Sequence, residues 1–173
     1  MTTPTTGYNM ALNNLRNALA GCSAFQTFAG AEDATEALAR IHTNALPKPA
    51  AGGVYTLAEM QAYRPCAIIW TAPDQGGYRY VKEGTRSFCD SGMIVVCLHW
   101  SIPVSIEDDP QEIEIQFGEH VGGIMDDLAD QAESGFRVQA MEPEGPYQNP
   151  EDSVPTEGNY LMGIIHLKWG EQQ

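Results

Sequence analysis

Positive charge is what this sequence has least of: 9 Lys and Arg stand against 23 Asp and Glu, a formal net charge of -14 over 173 residues. Such a balance repels polyphosphate and leaves no basic stripe for holding nucleic acid. DNA is therefore expected only as passing cargo without specific binding, since an acidic lining keeps a duplex from sticking. No apolar run approaches the roughly 20 residues that span a bilayer, so no membrane partner is expected. Cysteine is scarce as well. Cys22, Cys66, Cys89 and Cys97 form no Cys-x-x-Cys pair, and a chain of this length needs no disulfide staples. Met1–Gly7 does not read as a secretory signal, so the expected setting is a reducing cytoplasm.

Motifs that carry chemistry are missing too. There is no His-Glu-x-x-His, no Cys/His ligand spacing, no Gly-x-Ser-x-Gly elbow and no glycine–lysine phosphate loop. His99 and His166, both on strand candidates, would make a metal pair only as neighbours across a sheet; ordinary strand histidines are the better reading. A nucleophile built from Cys89 or Cys97 with His99 or His166 needs a thiolate in an electropositive cleft, which this composition disfavours. Asp126, Asp127, Asp130 and Glu133 fall off an apolar stripe and read as a solvated helix face. No catalytic, cofactor-binding or metal residue is expected, and no cofactor.

What is present is patterned apolar residue, 43% of the chain. Leu12, Leu15, Ala18 and Leu19 recur at helical spacing over 8–20, and Gly21 is placed to end that helix. Phe25 and Phe28 extend the apolar surface. Asp33 with Glu36, and Thr56 with Glu59, have capping-box spacing, so helices are expected from 33 and over 57–63. The period then changes. Cys66–Thr71 and Tyr78–Val81 flank a Pro-Asp-Gln-Gly-Gly turn and read as a hairpin. Residues 86–102 form the longest strand candidate. Asp109-Pro110-Gln111-Glu112 is a helix start, followed by the stripe Ile113, Phe117, Val121, Ile124 and Leu128, with Gly135 at its end. Phe136–Met141 and Asn159–Trp169 complete the strands. Between them the acidic, proline-rich segment 142–158 is expected to be a mobile loop.

The pattern predicts a single α+β domain over 1–173. Its sheet is expected to be antiparallel, of about five strands in the order β-β-β-α-β-β, with N-terminal helices and one long helix packed on it. Along 93–102, Ile94, Val96, Leu98, Trp100 and Ile102 line one face, while Met93, Val95 and Cys97 line the other with His99 and Ser101. A water-facing side is normally polar, yet here it is half apolar. Two coverings stay open: the long helix of the same chain, or a neighbouring subunit. For the subunit reading, Met93 and Val95 are interface candidates, and aspartate at either should block assembly without unfolding the chain. Arg79, Lys82 and Arg86 on the hairpin, and Tyr147 in the acidic segment, complete the candidate set. Gly118, Gly122 and Gly123 inside the long helix predict close backbone approach, to the sheet or to another subunit.

The segments LRNALAGCSAFQTFAGA (15–31), YRPCAIIWT (63–71), GMIVVCLHWSIP (92–103) and NYLMGIIHLKWG (159–170) follow one another in an order of elements that resembles the tail terminator, or tail completion, proteins of long-tailed bacteriophages. The resemblance covers most of the chain and is one of pattern and size. It implies a structural protein of the virion neck, assembled in the host cytoplasm, forming a ring of six copies on the finished tail tube. Its partners would be itself, the tail tube protein and the head–tail connector protein, with hairpin 73–85 and loop 142–158 as contact elements. The alternatives are another connector, neck or minor tail subunit, or, from a different class, a small cytosolic enzyme or ligand-binding domain.

Overall fold

The computed structural model describes residues 7–44, 46–47, 56–71, 78–83, 86–130, 137–148 and 160–170. Helix α1 (Gly7–Gly21) buries Leu12, Leu15 and Leu19 on one stripe. Cys22 interrupts it in an extended conformation, and α2 (Ser23–Ala29) restarts with Phe25 and Phe28 inward. Gly30 ends α2 in the left-handed region at φ 63, where a side chain would be strained. Asp33 caps α3 (Ala34–Ala39), its Oδ1 accepting from the backbone of Thr35 and Glu36; the Glu36 carboxylate reaches back to the Glu32 N–H, one residue before the cap. Helix α4 (Leu57–Tyr63) starts with the full reciprocal box between Thr56 and Glu59.

The fold is α+β, with a six-stranded mixed sheet. Its strands are β1 (Ile41–Thr43), β2 (Cys66–Thr71), β3 (Tyr78–Glu83), β4 (Arg86–Ser101), β5 (Arg137–Gln148) and β6 (Tyr160–Gly170), in the order β1-β2-β4-β6-β5. The expectation of an all-antiparallel sheet is corrected at β1, which pairs parallel to β2. Three residues are too few to show a period of two, and a parallel neighbour needs a crossover, which the stretch carrying α4 supplies. The expected hairpin between Cys66–Thr71 and Tyr78–Val81 does not form either. Both strands instead pair with the 16-residue β4: β2 with Ile94–His99, and β3 with Arg86–Gly92. They lie end to end along its one edge, and β6 takes the other. Strand β5 is longer than expected. Glu142–Gln148 belong to it and pair with β6 rather than to a loop; 149–159 lie outside the described residues, as does Gly135.

A short 3-10 turn (Val104–Ile106) leads to α5 (Pro110–Asp130). Ile113, Phe117, Ile124 and Leu128 of α5 join α1, α2 and α3 in a core built on Ile94, Val96, Leu98 and Trp100 of β4 and Leu161, Ile165, Leu167 and Trp169 of β6. The N-terminal helices and the long helix thus share one face of the sheet, and the domain has two layers rather than three. Gly163 lets α5 approach: a Cβ there would sit 2.7 Å from the Phe117 ring, which also packs on Trp100 at 5.8 Å between centroids. Asp127, expected on a solvated face, reaches across to α2. Its Oδ2 accepts from the Ala24 N–H at 2.9 Å and the Ser23 hydroxyl at 3.1 Å, satisfying the N-terminus that Cys22 leaves uncapped.

Candidate functional site: the second face of the sheet

Residues opposed in a ladder share a face, so the register fixes what lies opposite the core. His42, Cys66, Ile68 and Trp70 of the first two strands stand beside Val95, Cys97 and His99 of β4, and these beside Met162, Ile164 and His166 of β6. None of these belongs to the core cluster. Ile68, Trp70, Met93, Met162 and Ile164 are half-buried, while Val95 and Cys97 are sunk between taller neighbours. Helix α4 adds no residue to the core and touches this side through Tyr63, edge-on to His42 at 5.7 Å.

The two apolar candidates therefore part company. Met93 is half-exposed on the second face, but Val95 is only 3% exposed within its own chain. An aspartate at Val95 would bury a carboxylate in the monomer, so that substitution reports on folding and not on assembly. Arg79, Lys82 and Arg86 have their backbones in the β3–β4 ribbon, opposite Ser91, Ser87 and Glu83, and Tyr147 pairs with Met162; their side chains lie outside the described residues. Beyond Ser91, whose other neighbour is Gly170, the ribbon has no third strand among the described residues.

One end of this face holds a cluster that periodicity did not reveal. Arg64, the residue closing α4, stacks its guanidinium 3.5 Å above the Tyr160 ring, and Tyr160 stacks on His99 at 6.2 Å with 12° between planes. Cys66 is directly opposite His99, and the Cys97 thiol lies 3.5 Å from His99 Nε2. Burial pushes the His99 imidazole down to about 4, helped by Arg64 and His42, so it is neutral near pH 7. Burial likewise pushes the thiols up, Cys66 to about 12 and Cys97 to about 11. Thiols held protonated this firmly are poor nucleophiles. Arg64 is 8% exposed, and its Nη2 is buried without a hydrogen-bond partner. Burial lowers its pKa; Tyr160 and Cys66, not a carboxylate, oppose that shift. No spacing or period marks this arginine in the sequence; what signals it is a base held between a helix end and a buried strand.

His99 and His166 are not neighbours: His99 faces Met162 and His166 faces Val95, and His166 Nε2 instead meets Glu144 at 2.8 Å. Among the described residues, no group of three or more His, Cys, Asp or Glu is arranged to hold a metal ion. No described helix is long and apolar enough to cross a membrane. A solvent-open groove of about 480 Å³ runs between α2 and α5, lined by Ala24, Thr27, Ile115 and His120 with Glu112, Gln116 and Glu119. No family model and no curated protein matches this chain.

Proposed function

We propose that the chain is a structural assembly subunit whose copies associate through the second face of the sheet, most specifically a tail terminator that forms a ring on a finished phage tail tube. The observation that carries this reading is the one-sided distribution of helices. The core helices pack on one face, and Ile68, Trp70, Met93, Met162 and Ile164 remain half-buried on the other. An antiparallel sheet turned to water is normally polar there, whereas burying about 800 Å² per partner would make such a surface useful. The phage assignment rests on the resemblance in element order and size. On it, the ring of six copies would cap the tube, meet the head–tail connector and let DNA pass without gripping it.

Met93→Asp should convert the assembled species to a monomer that melts at the wild-type temperature, by mass photometry and thermal denaturation. Val95→Asp should instead lower the melting temperature. Assembly that survives Met93→Asp would exclude this face as the interface. Particles made without the protein separate the structural alternatives: overlong tails mark a terminator, and detached heads beside normal tails mark a connector. A wild-type chain that stays monomeric at high concentration would point to the enzyme or ligand-binding class instead.

A further inference from the structure

We propose that Arg64 is a carboxylate socket for a second copy of this chain, whose Asp or Glu side chain pairs with the buried guanidinium when the sheet faces associate. The inference rests on the self-assembly reading and gives its interface a specific polar contact.

Arg64 is more than nine-tenths buried, and one of its terminal nitrogens has no hydrogen-bond partner. It makes no ion pair among the described residues. A guanidinium cannot escape its charge by losing a proton in the ordinary pH range, so an uncompensated one is costly to keep in a protein interior. Its stacking on Tyr160 fixes the plane of the fork but leaves Nη2 unsatisfied. The other titratable neighbours cannot supply the missing anion: His99 is neutral, and Cys66 is held as the thiol.

Charge complementarity names the occupant. The chain carries 23 acids against 9 bases, so the commonest charged group a second copy offers is a carboxylate, the group whose geometry matches an arginine fork. Tyr160, on which Arg64 lies, is on the same face as Met93 and Ile164 by register, so the socket is continuous with the apolar surface of the proposed contact. Apolar burial would supply the attraction, and the single fork would fix how two copies meet.

Arg64→Met tests this, because methionine keeps an unbranched chain and removes the charge. Removing a charge that has no partner in the monomer should leave the diluted monomer's melting temperature unchanged or higher. Removing one half of a buried pair should weaken assembly about 30-fold or more, read by sedimentation across a concentration series. Arg64→Lys, which keeps the charge without the fork, should recover only part of that loss. A wild-type protein that assembles while Arg64→Met assembles equally well would overturn the socket and leave self-assembly standing. A lowered melting temperature for the diluted Arg64→Met monomer would place the partner within the same chain and overturn it too. If acetate or phosphate raises the wild-type monomer's melting temperature and assembly ignores the substitution, the occupant is a small anion and not a second copy. A wild-type chain that never assembles would remove the self-assembly reading and the socket with it.

Discussion

His99 makes the stability of this domain depend on pH in a direction that can be worked out. In the unfolded chain its imidazole titrates near 6.5, and in the folded chain burial lowers this to about 4. Between those values the unfolded chain binds a proton that the folded one refuses. The stabilisation is therefore whole above pH 6.5, shrinks as the pH falls, and is lost by about pH 4. For this one group it is on the order of 3 kcal/mol. Burial also lowers His42, aided by Arg16 and Arg40, and His120, so both contribute with the same sign. Urea midpoints should fall steadily from pH 7 to pH 4.5. His99→Phe, which keeps a ring against Tyr160 but cannot titrate, should flatten the greater part of that slope. An equal slope in the variant would mean that His99 is protonated at will and not sealed. The histidines were legible in the sequence as structural residues, but their environment was not. His99 owes its shift to Arg64 and Tyr160, which are far from it along the chain and meet it only through strand register.

The three glycines of α5 divide at the level of the element. A Cβ on Gly123 would lie 3.1 Å from the Ala24 Cβ, so this one serves the close crossing of α2 and α5. Gly118 and Gly122 would meet nothing within 4 Å, and both are exposed. The expectation of close approach holds within the chain for one glycine of the three. Gly118→Ala and Gly122→Ala should each stabilise the isolated domain, by up to about 1 kcal/mol, because alanine restricts the unfolded chain and suits a helix. Chemical denaturation of the two variants checks this, and any loss of stability would show that the open space is occupied. Gly163→Ala should do the reverse, driving a methyl into the Phe117 ring at a cost of about 1–3 kcal/mol. Helices with an apolar stripe and a cap, such as α5 or α4, could be placed from the sequence because both signals are local. Strand β1 and the partners of β2 and β3 could not. Pairing depends on which edge of β4 is free, and that edge is set by β6, some 60 residues further on.

For the whole molecule, the division of the sheet into two apolar faces was legible from alternation along β4, and the core face fell as expected on Ile94, Val96, Leu98 and Trp100. Which face the helices take was not legible, because α5 carries one stripe that would suit either side; its docking is decided by Phe117 on Gly163 and Asp127 on α2. Net charge then sets a test for the proposed contact. Copies that each carry -14 repel one another, and at about 0.01 M salt that repulsion extends roughly 30 Å, against about 10 Å at 0.1 M. Apolar burial is not screened in this way, and a desolvated arginine–carboxylate pair is screened far less than exposed charges. Association through the second face should therefore tighten as salt rises from about 0.01 M to about 0.1 M, measured as the concentration at which half the protein is assembled. Contacts led instead by Arg79, Lys82 and Arg86 reaching an acidic patch would loosen over the same range. The sign of the salt dependence thus separates the two groups of interface candidates without any mutation. Loosening would move the contact from the broad face of the sheet to the β3–β4 ribbon.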